Sequence, residues 1–265
     1  MVKYGETLSK ALEFGIQPKR WLPLFIVDVI FALISLGYVF TNILGIKTMM
    51  GMQGIAVAPQ IIGMILFFAV VFLVWFLVRI YISGSLYHQS YKEKEFDKSW
   101  KVAKQRYLSL LAVVIVVGII SGIVGMVPYI GWLFSIIVGL IFFFSMPMVI
   151  INKKDIGKSL KESYNIFKKR TIDVIICWLL ISIITVIIVF VFAIPVLMAV
   201  GFTIIPMIVG ASSGAGILTS VIANGWLIIP AIIILLVGLS ISTVFSHYAQ
   251  THFYLQLRKR HLLRK

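Results

Sequence analysis

The sequence predicts an all-α integral membrane protein, a six-transmembrane-helix bundle of pseudo-repeated hairpins with amphipathic cytoplasmic interfacial helices. Three observations carry that expectation. Apolar residues make up 61% of the chain and charged residues 12%, outside the range of soluble domains. The apolar residues gather into runs that match the roughly 20 helical residues needed to cross a hydrocarbon layer about 30 Å thick. The basic residues are confined to the stretches between alternate runs.

Each element has its own justification. Residues 1–21 carry Lys3, Lys10, Lys19 and Arg20, with Leu8, Ala11, Leu12 and Gly15 at helical spacing. This long polar lead does not fit a cleavable signal peptide. A first span is expected over 22–46. The connection from Lys47 to Gln60 holds Gly51, Gly54, Pro59 and a single charge, and reads as an outer loop. A second span is expected over 61–83. The stretch from Gly84 to Arg106 is basic, and in its latter half Trp100, Ala103, Tyr107 and Leu110 form an apolar stripe. In the third span, 108–127, Gly118 and Gly122 have a small-xxx-small spacing that lets helix backbones approach closely. The run Val127-Pro128-Tyr129-Ile130-Gly131-Trp132 reads as a tight turn into a fourth span, 132–151, so these two spans form an antiparallel hairpin.

Residues 152–170 are the clearest amphipathic segment. Ile156, Leu160, Tyr164 and Phe167 share one helical face, while Lys158, Lys161, Lys168 and Lys169 crowd the others, as in a helix lying in a membrane interface. A fifth span covers 172–200. The uncharged segment 201–225 includes Pro206, Asn224 and a Ser/Gly-rich run. If it crossed fully, the basic C terminus would lie outside, so a re-entrant or interfacial excursion is expected. The sixth span covers 226–252.

Topology follows from where lysine and arginine fall. Four precede the first span, seven lie between the second and third counting Arg79, seven between the fourth and fifth, and five in the C-terminal tail. Only Lys47 falls on the other side. The positive-inside rule makes the crowded face cytoplasmic, with both termini on it, in the cell membrane. The three basic segments share a plan: Thr7-Leu8 with Ala11, Ser99-Trp100 with Ala103, and Ser159-Leu160 with Ser163.

Three short motifs carry a resemblance. They are the Pro128-Tyr129-Ile130-Gly131 turn, the segment Lys158-Ser159-Leu160-Lys161-Glu162-Ser163 leading to Lys168-Lys169-Arg170, and Phe253-Tyr254 with Leu257-Arg258. Through them the chain resembles a family of uncharacterised six-span prokaryotic membrane proteins, among them the YciC-type proteins and the membrane domain attached to some glycerophosphodiester phosphodiesterases. The resemblance covers most of the chain and implies the fold without an agreed activity. No phosphodiesterase barrel is expected, since it would need about 250 residues of its own.

The candidate chemistry is sparse. Asp28 lies about 10 Å into the first span, and Arg79 lies about 7 Å from the same face in the second. Ionisable groups in hydrocarbon need a partner or water. With His247 and Gln250, and Tyr254 on the same face of the last helix, they are expected to form a polar intramembrane cluster. Its readings are a cytoplasm-facing cavity or a structural ion pair with a wet helix end. Asp173, three residues after Arg170, can answer that arginine. Gly210-Ala211-Ser212-Ser213-Gly214 matches the nucleophile pattern Gly-x-Ser-x-Gly. However, His247 lies about 31 Å along the last helix from Trp226, beyond reach of those serines. No catalytic residue is assigned, so a non-enzyme is expected. His88, His247, His252 and His261 show no metal spacing, and no cofactor is expected. Cys177 reads as a buried, inert thiol.

Lys158, Lys161, Lys168, Lys169, Arg170, Lys101 and Lys104 are candidates for contact with anionic lipid head groups or a membrane-protein partner. Nothing in the sequence resembles a nucleic-acid-reading module. The leading expectation is a non-enzymatic scaffold or interaction protein. The alternative is a transporter or lipid-handling protein using the polar cluster.

Overall fold

Backbone groups inside a membrane have no water to bond, so an apolar stretch that crosses must satisfy them internally as a helix. A computed structural model of the chain describes residues 2–50, 58–209 and 225–262, and these are helical nearly throughout. The helices are α1 Tyr4–Ile16, α2 Pro18–Met50, α3 Ala58–Tyr91, α4 Phe96–Gly125, α5 Gly131–Ile141, α6 Ser145–Ile151, α7 Ile156–Lys169, α8 Thr171–Val209 and α9 Gly225–Leu262. Among the described residues, six spans are long and apolar enough to cross a membrane, α5 and α6 together making one of them. The molecule is a six-helix, multi-pass bundle. Of the segment expected to re-enter the membrane, 201–209 continue α8 as helix, and 210–224 lie outside the described residues.

α9 is the central helix, packed against α1, α2, α3, α6, α7 and α8. Val244, Phe245, Tyr248, Ala249, Phe253, Tyr254 and Leu257 are all buried, so no side of this stretch faces out. Its closest neighbour is α8. A Cβ at Gly238 would sit 2.3 Å from the Cβ of Phe192, so the crossing requires glycine there. The buried core lies at one end of the bundle, where α1, the α3–α4 turn, α7 and the end of α9 converge. This is the basic end. Farther along the spans, large apolar side chains such as Ile65, Val70, Ile119 and Val186 face outward.

Three short stretches lean on this core through the same kind of surface. In α1 the buried residues include Thr7 and Ala11, in α4 Ser99 and Ala103, and in α7 Ser159 and Ser163. The most deeply buried positions are therefore the hydroxyl and small residues of the repeated plan, Ala11 and Ala103 of the expected stripes among them, and Leu8, Trp100 and Leu160 pack beside them half-buried. The reason is close approach: small residues admit a neighbouring backbone, and their hydroxyls bond across it. Tyr164, expected on the apolar face of α7, is exposed. Gly118 and Gly122 also depart from expectation, because a Cβ at either would meet nothing within 4 Å, so no helix among the described residues uses them for close approach.

The turn between α4 and α5 is as tight as its sequence implies. Gly131 N–H donates to the carbonyl of Val127 at 2.8 Å, and Tyr129 takes a φ of 64°. A Cβ at Gly131 would fall 2.2 Å from the carbonyl oxygen of Gly125, which only glycine avoids.

The expected fourth span is not one continuous helix. It breaks at Phe142–Phe144, between α5 and α6. Pro147 explains the break: it has no N–H to offer the carbonyl of Phe143, and its ring crowds that carbonyl. Other elements satisfy the freed groups. Gln250 of α9 donates to the Phe143 carbonyl. Ser163 of α7 donates to the Ile141 carbonyl at 2.8 Å and accepts from Phe144 N–H at 3.3 Å.

Candidate functional site

The polar residues expected inside the membrane fall into two groups joined by α9. In the first, Asp28 of α2 and Arg79 of α3 form an ion pair at 3.8 Å, with 6% and 24% of their side chains exposed. Two further residues complete it. Trp75, one turn before Arg79, donates its indole N–H to Asp28 Oδ1 at 2.8 Å, and the Arg79 guanidinium lies 4.9 Å over the same indole. Arg79 also donates to Thr243 Oγ1 of α9 at 3.3 Å.

Thr243 leads to the second group. Its carbonyl accepts from His247 Nδ1 at 2.7 Å, which places the ring proton on Nδ1. The His247 ring lies 4.4 Å from that of Tyr87. Tyr87 donates to Gln250 Oε1 at 2.5 Å, and Gln250 in turn holds the Phe143 carbonyl at the helix break. A path made of hydrogen bonds, the ion pair and one ring contact, between His247 and Tyr87, thus runs from α2 through α3 and α9 to the α5–α6 break.

The two groups face different spaces. Asp28, Trp75 and Arg79 line a groove of about 440 Å³ between α2, α3 and α9, and the rest of its wall is mostly apolar: Phe31, Ala32, Phe68, Val71, Phe72, Leu236 and Leu239, with Ser35. Gln250 lines a second, smaller groove of about 330 Å³ beside α4, with Gly118, Gly139 and Phe143. In the first groove, Asp28 accepts both contacts on Oδ1. Its Oδ2 has no donor among the described residues, yet it is not sealed inside the protein.

At the basic end several polar groups are matched to one another, while the buried His88 Nδ1 and Thr251 Oγ1 have no hydrogen-bond partner among the described residues. Ser85 and Ser99 share a hydrogen bond of 2.7 Å, and Gln89 donates to both at 3.0 Å. Gln256 ties α9 to α1 through Thr7 Oγ1 at 2.8 Å, and Tyr254 accepts from Asn152, whose Oδ1 takes a bond from Arg258 at 2.7 Å. A cleft of about 450 Å³ lies here, lined by Glu6, Glu13, Glu93, Tyr248 and His252 among others. Tyr248 donates to Glu93 at 2.9 Å. Hydrogen bonds from Lys3 and Lys10 pull the exposed Glu6 carboxyl down to about 2. Among the described residues, no three His, Cys, Asp or Glu side chains converge as a metal site would require.

The remaining candidates divide. Lys101, Lys104, Lys158, Lys161, Lys168 and Lys169 are exposed. Arg170 differs: it is partly buried and pairs with Asp173 at 3.4 Å, and Tyr4 donates to the same carboxylate at 3.3 Å. The Gly-x-Ser-x-Gly pattern at 210–214 lies outside the described residues. Trp75, Thr243 and Tyr87 are the members of the path that a reading of the sequence omits. One signal for Tyr87 was available: Ser85-Leu86-Tyr87-His88-Gln89-Ser90 and Ser246-His247-Tyr248-Ala249-Gln250-Thr251 repeat a Ser-x-Tyr-x-Gln-hydroxyl pattern in α3 and α9. No protein-family model matches the chain, nor does any curated protein or solved structure.

Proposed function

We propose that this chain is a lipid-handling protein of the cell membrane that takes an amphipathic molecule into the groove between α2, α3 and α9. One observation carries the reading: an ion pair with a buried carboxylate and a half-buried guanidinium stands at one end of a mostly apolar groove, with a carboxylate oxygen left open. Ionisable groups at membrane depth persist where they serve a pathway or a ligand, and a mostly apolar concavity with a few convergent polar groups is the usual form of a ligand site. By the positive-inside rule, the basic end and both termini face the cytoplasm. The reading also keeps the chain beside the six-span prokaryotic family that its short motifs resemble.

Native mass spectrometry on gently extracted protein tests this. Wild-type protein is expected to retain a lipid-sized mass, and Ala32→Trp, which fills the groove, is expected to lose it. Equal retention by both proteins would refute the reading.

A second reading is favoured by the exposed lysines of α4 and α7, which form a basic surface suited to anionic head groups or to an acidic partner. In that case the protein is a non-enzymatic scaffold. Replacing Lys158, Lys161, Lys168 and Lys169 together by Gln would then disrupt a co-purifying complex, and a complex that survives the change counts against it.

A further inference from the structure

We infer that the molecule held in this groove is a single-chain lipid with an uncharged, hydroxyl-bearing head, of the monoacylglycerol type. The inference rests on the groove reading above and specifies its ligand. Its first support is charge. Asp28 and Arg79 already neutralise each other at 3.8 Å. An anionic head drawn to Arg79 would bring a second negative charge beside Asp28, and a cationic head drawn to Asp28 would stand beside the guanidinium. With little water to screen either encounter, like charges at such distances are strongly unfavourable.

The second support is the inventory of free hydrogen-bonding atoms. Asp28 Oδ2 has no donor among the described residues and requires one from outside, which a hydroxyl supplies. Arg79 has five N–H donors by its chemistry. Its described contacts are one hydrogen bond to Thr243, the long ion pair to Asp28 and the face of the Trp75 indole, which takes up no N–H in a hydrogen bond, so donors remain for an ester carbonyl. A head with a hydroxyl close to an ester meets both needs without adding charge.

The third support is shape. On α2 the wall runs from Asp28 to Ser35, and on α3 from Arg79 back to Phe68. At 1.5 Å per residue, these stretches extend about 10 and 16 Å away from the ion pair. Their aromatic and aliphatic side chains suit a hydrocarbon chain lying along the span with its head toward the basic end. A volume of about 440 Å³ is near the lower end of the range for ligand pockets, roughly 300–1,000 Å³, and favours one chain over two.

The test compares three probes of equal chain length: a monoacylglycerol, the fatty-acid carboxylate and the primary alkylamine. Each is titrated at pH 7 against wild-type protein, Asp28→Asn, Arg79→Gln and Ala32→Trp in uncharged nanodiscs. Wild-type protein is expected to bind the monoacylglycerol at least tenfold more tightly than either ion. Asp28→Asn keeps an acceptor for Trp75 but leaves Arg79 uncompensated, so preference should move at least tenfold toward the carboxylate. Arg79→Gln should move it toward the amine. Should either variant fail to fold, the wild-type ranking decides alone. Equal or tighter wild-type binding of an ion overturns the inference, as does an unchanged ranking in folded Asp28→Asn. In both cases the groove reading stands if Ala32→Trp abolishes binding of every probe. If Ala32→Trp abolishes none, the groove reading itself fails.

Discussion

At the basic end, Ser85, Gln89 and Ser99 close a hydrogen-bonded triangle, and Ser163 serves both a carbonyl and an N–H at a helix break. In the groove between α2, α3 and α9, Asp28 is just as buried but takes both of its contacts on one oxygen, and the other stays open. The first region is built from neutral hydroxyl and amide side chains, the second around an ion pair whose carboxylate is buried and whose guanidinium is partly exposed. They differ in where an unmet group lies: in the groove it is a carboxylate oxygen open to the outside, whereas at the basic end His88 Nδ1 and Thr251 Oγ1, unpaired among the described residues, are sealed inside. Within a membrane, apolar side chains gain little by meeting one another instead of lipid, so small-residue contacts and hydrogen bonds decide how helices assemble. A set of groups sealed from outside is then architecture, and an unmet charged acceptor open to the groove marks a place where something else binds. Changes at the basic end should cost stability and spare ligand binding, whereas changes in the groove should affect binding first.

Ser163→Val gives the largest expected effect. It strips partners from the Ile141 carbonyl and the Phe144 N–H, and a buried unsatisfied group costs about 1–3 kcal/mol. A loss of about 3 kcal/mol in reversible denaturation from mixed micelles is expected, with the groove's ligand retained. Asp28→Leu should come next. Breaking a buried pair costs about 3–5 kcal/mol, but Arg79 keeps 24% of its side chain exposed and can reach toward water. A loss of about 2 kcal/mol is expected, together with loss of the retained lipid in native mass spectrometry. If Asp28→Leu kept its lipid, the distinction between the two regions would fail.

A double-mutant cycle on Ser85→Ala and Ser99→Ala should give a coupling of about 0.6 kcal/mol, the average for such bonds between membrane helices. The smallest effect concerns Glu6. Its carboxyl titrates in the folded protein near 2, below its ordinary 4.5, because Lys3 and Lys10 bond it. A depressed folded value means that the contribution is present above about pH 4.5 and lost as pH falls through about 2. Glu6→Gln should therefore flatten a small slope in thermal stability across that window and leave stability at pH 7 nearly unchanged.

How much of this was legible in the sequence depends on the range of the interaction. The spans were legible because each is a local run of apolar residues, and the path of Asp28 and Arg79 because depth along a helix can be counted. The break in the fourth span was equally local, since Pro147 removes one N–H, but its repair was not: Ser163 and Gln250 reach it from other elements. The packed faces of α1 and α4 were legible in Ala11, Gly15, Ala103 and Leu110, whereas that of α7 was legible only in part, since Tyr164 is exposed while Ser159 and Ser163 are buried. Hydrophobic periodicity passes over hydroxyl residues, whereas contact between membrane helices also selects small polar ones, here Thr7, Ser99 and Ser163. Trp75 and Thr243 look like ordinary members of apolar helices. They become site residues only because folding brings α2, α3 and α9 together around one ion pair.

The most direct test of the groove is photo-crosslinking in nanodiscs, using a monoacylglycerol with a photoreactive group in its chain and mapping the adducts by mass spectrometry. The account predicts adducts concentrated on Phe68, Phe72 and Leu236 and abolished by Ala32→Trp. Adducts spread evenly over outward-facing positions such as Ile65, Ile119 and Val186, and unchanged by that substitution, would contradict it.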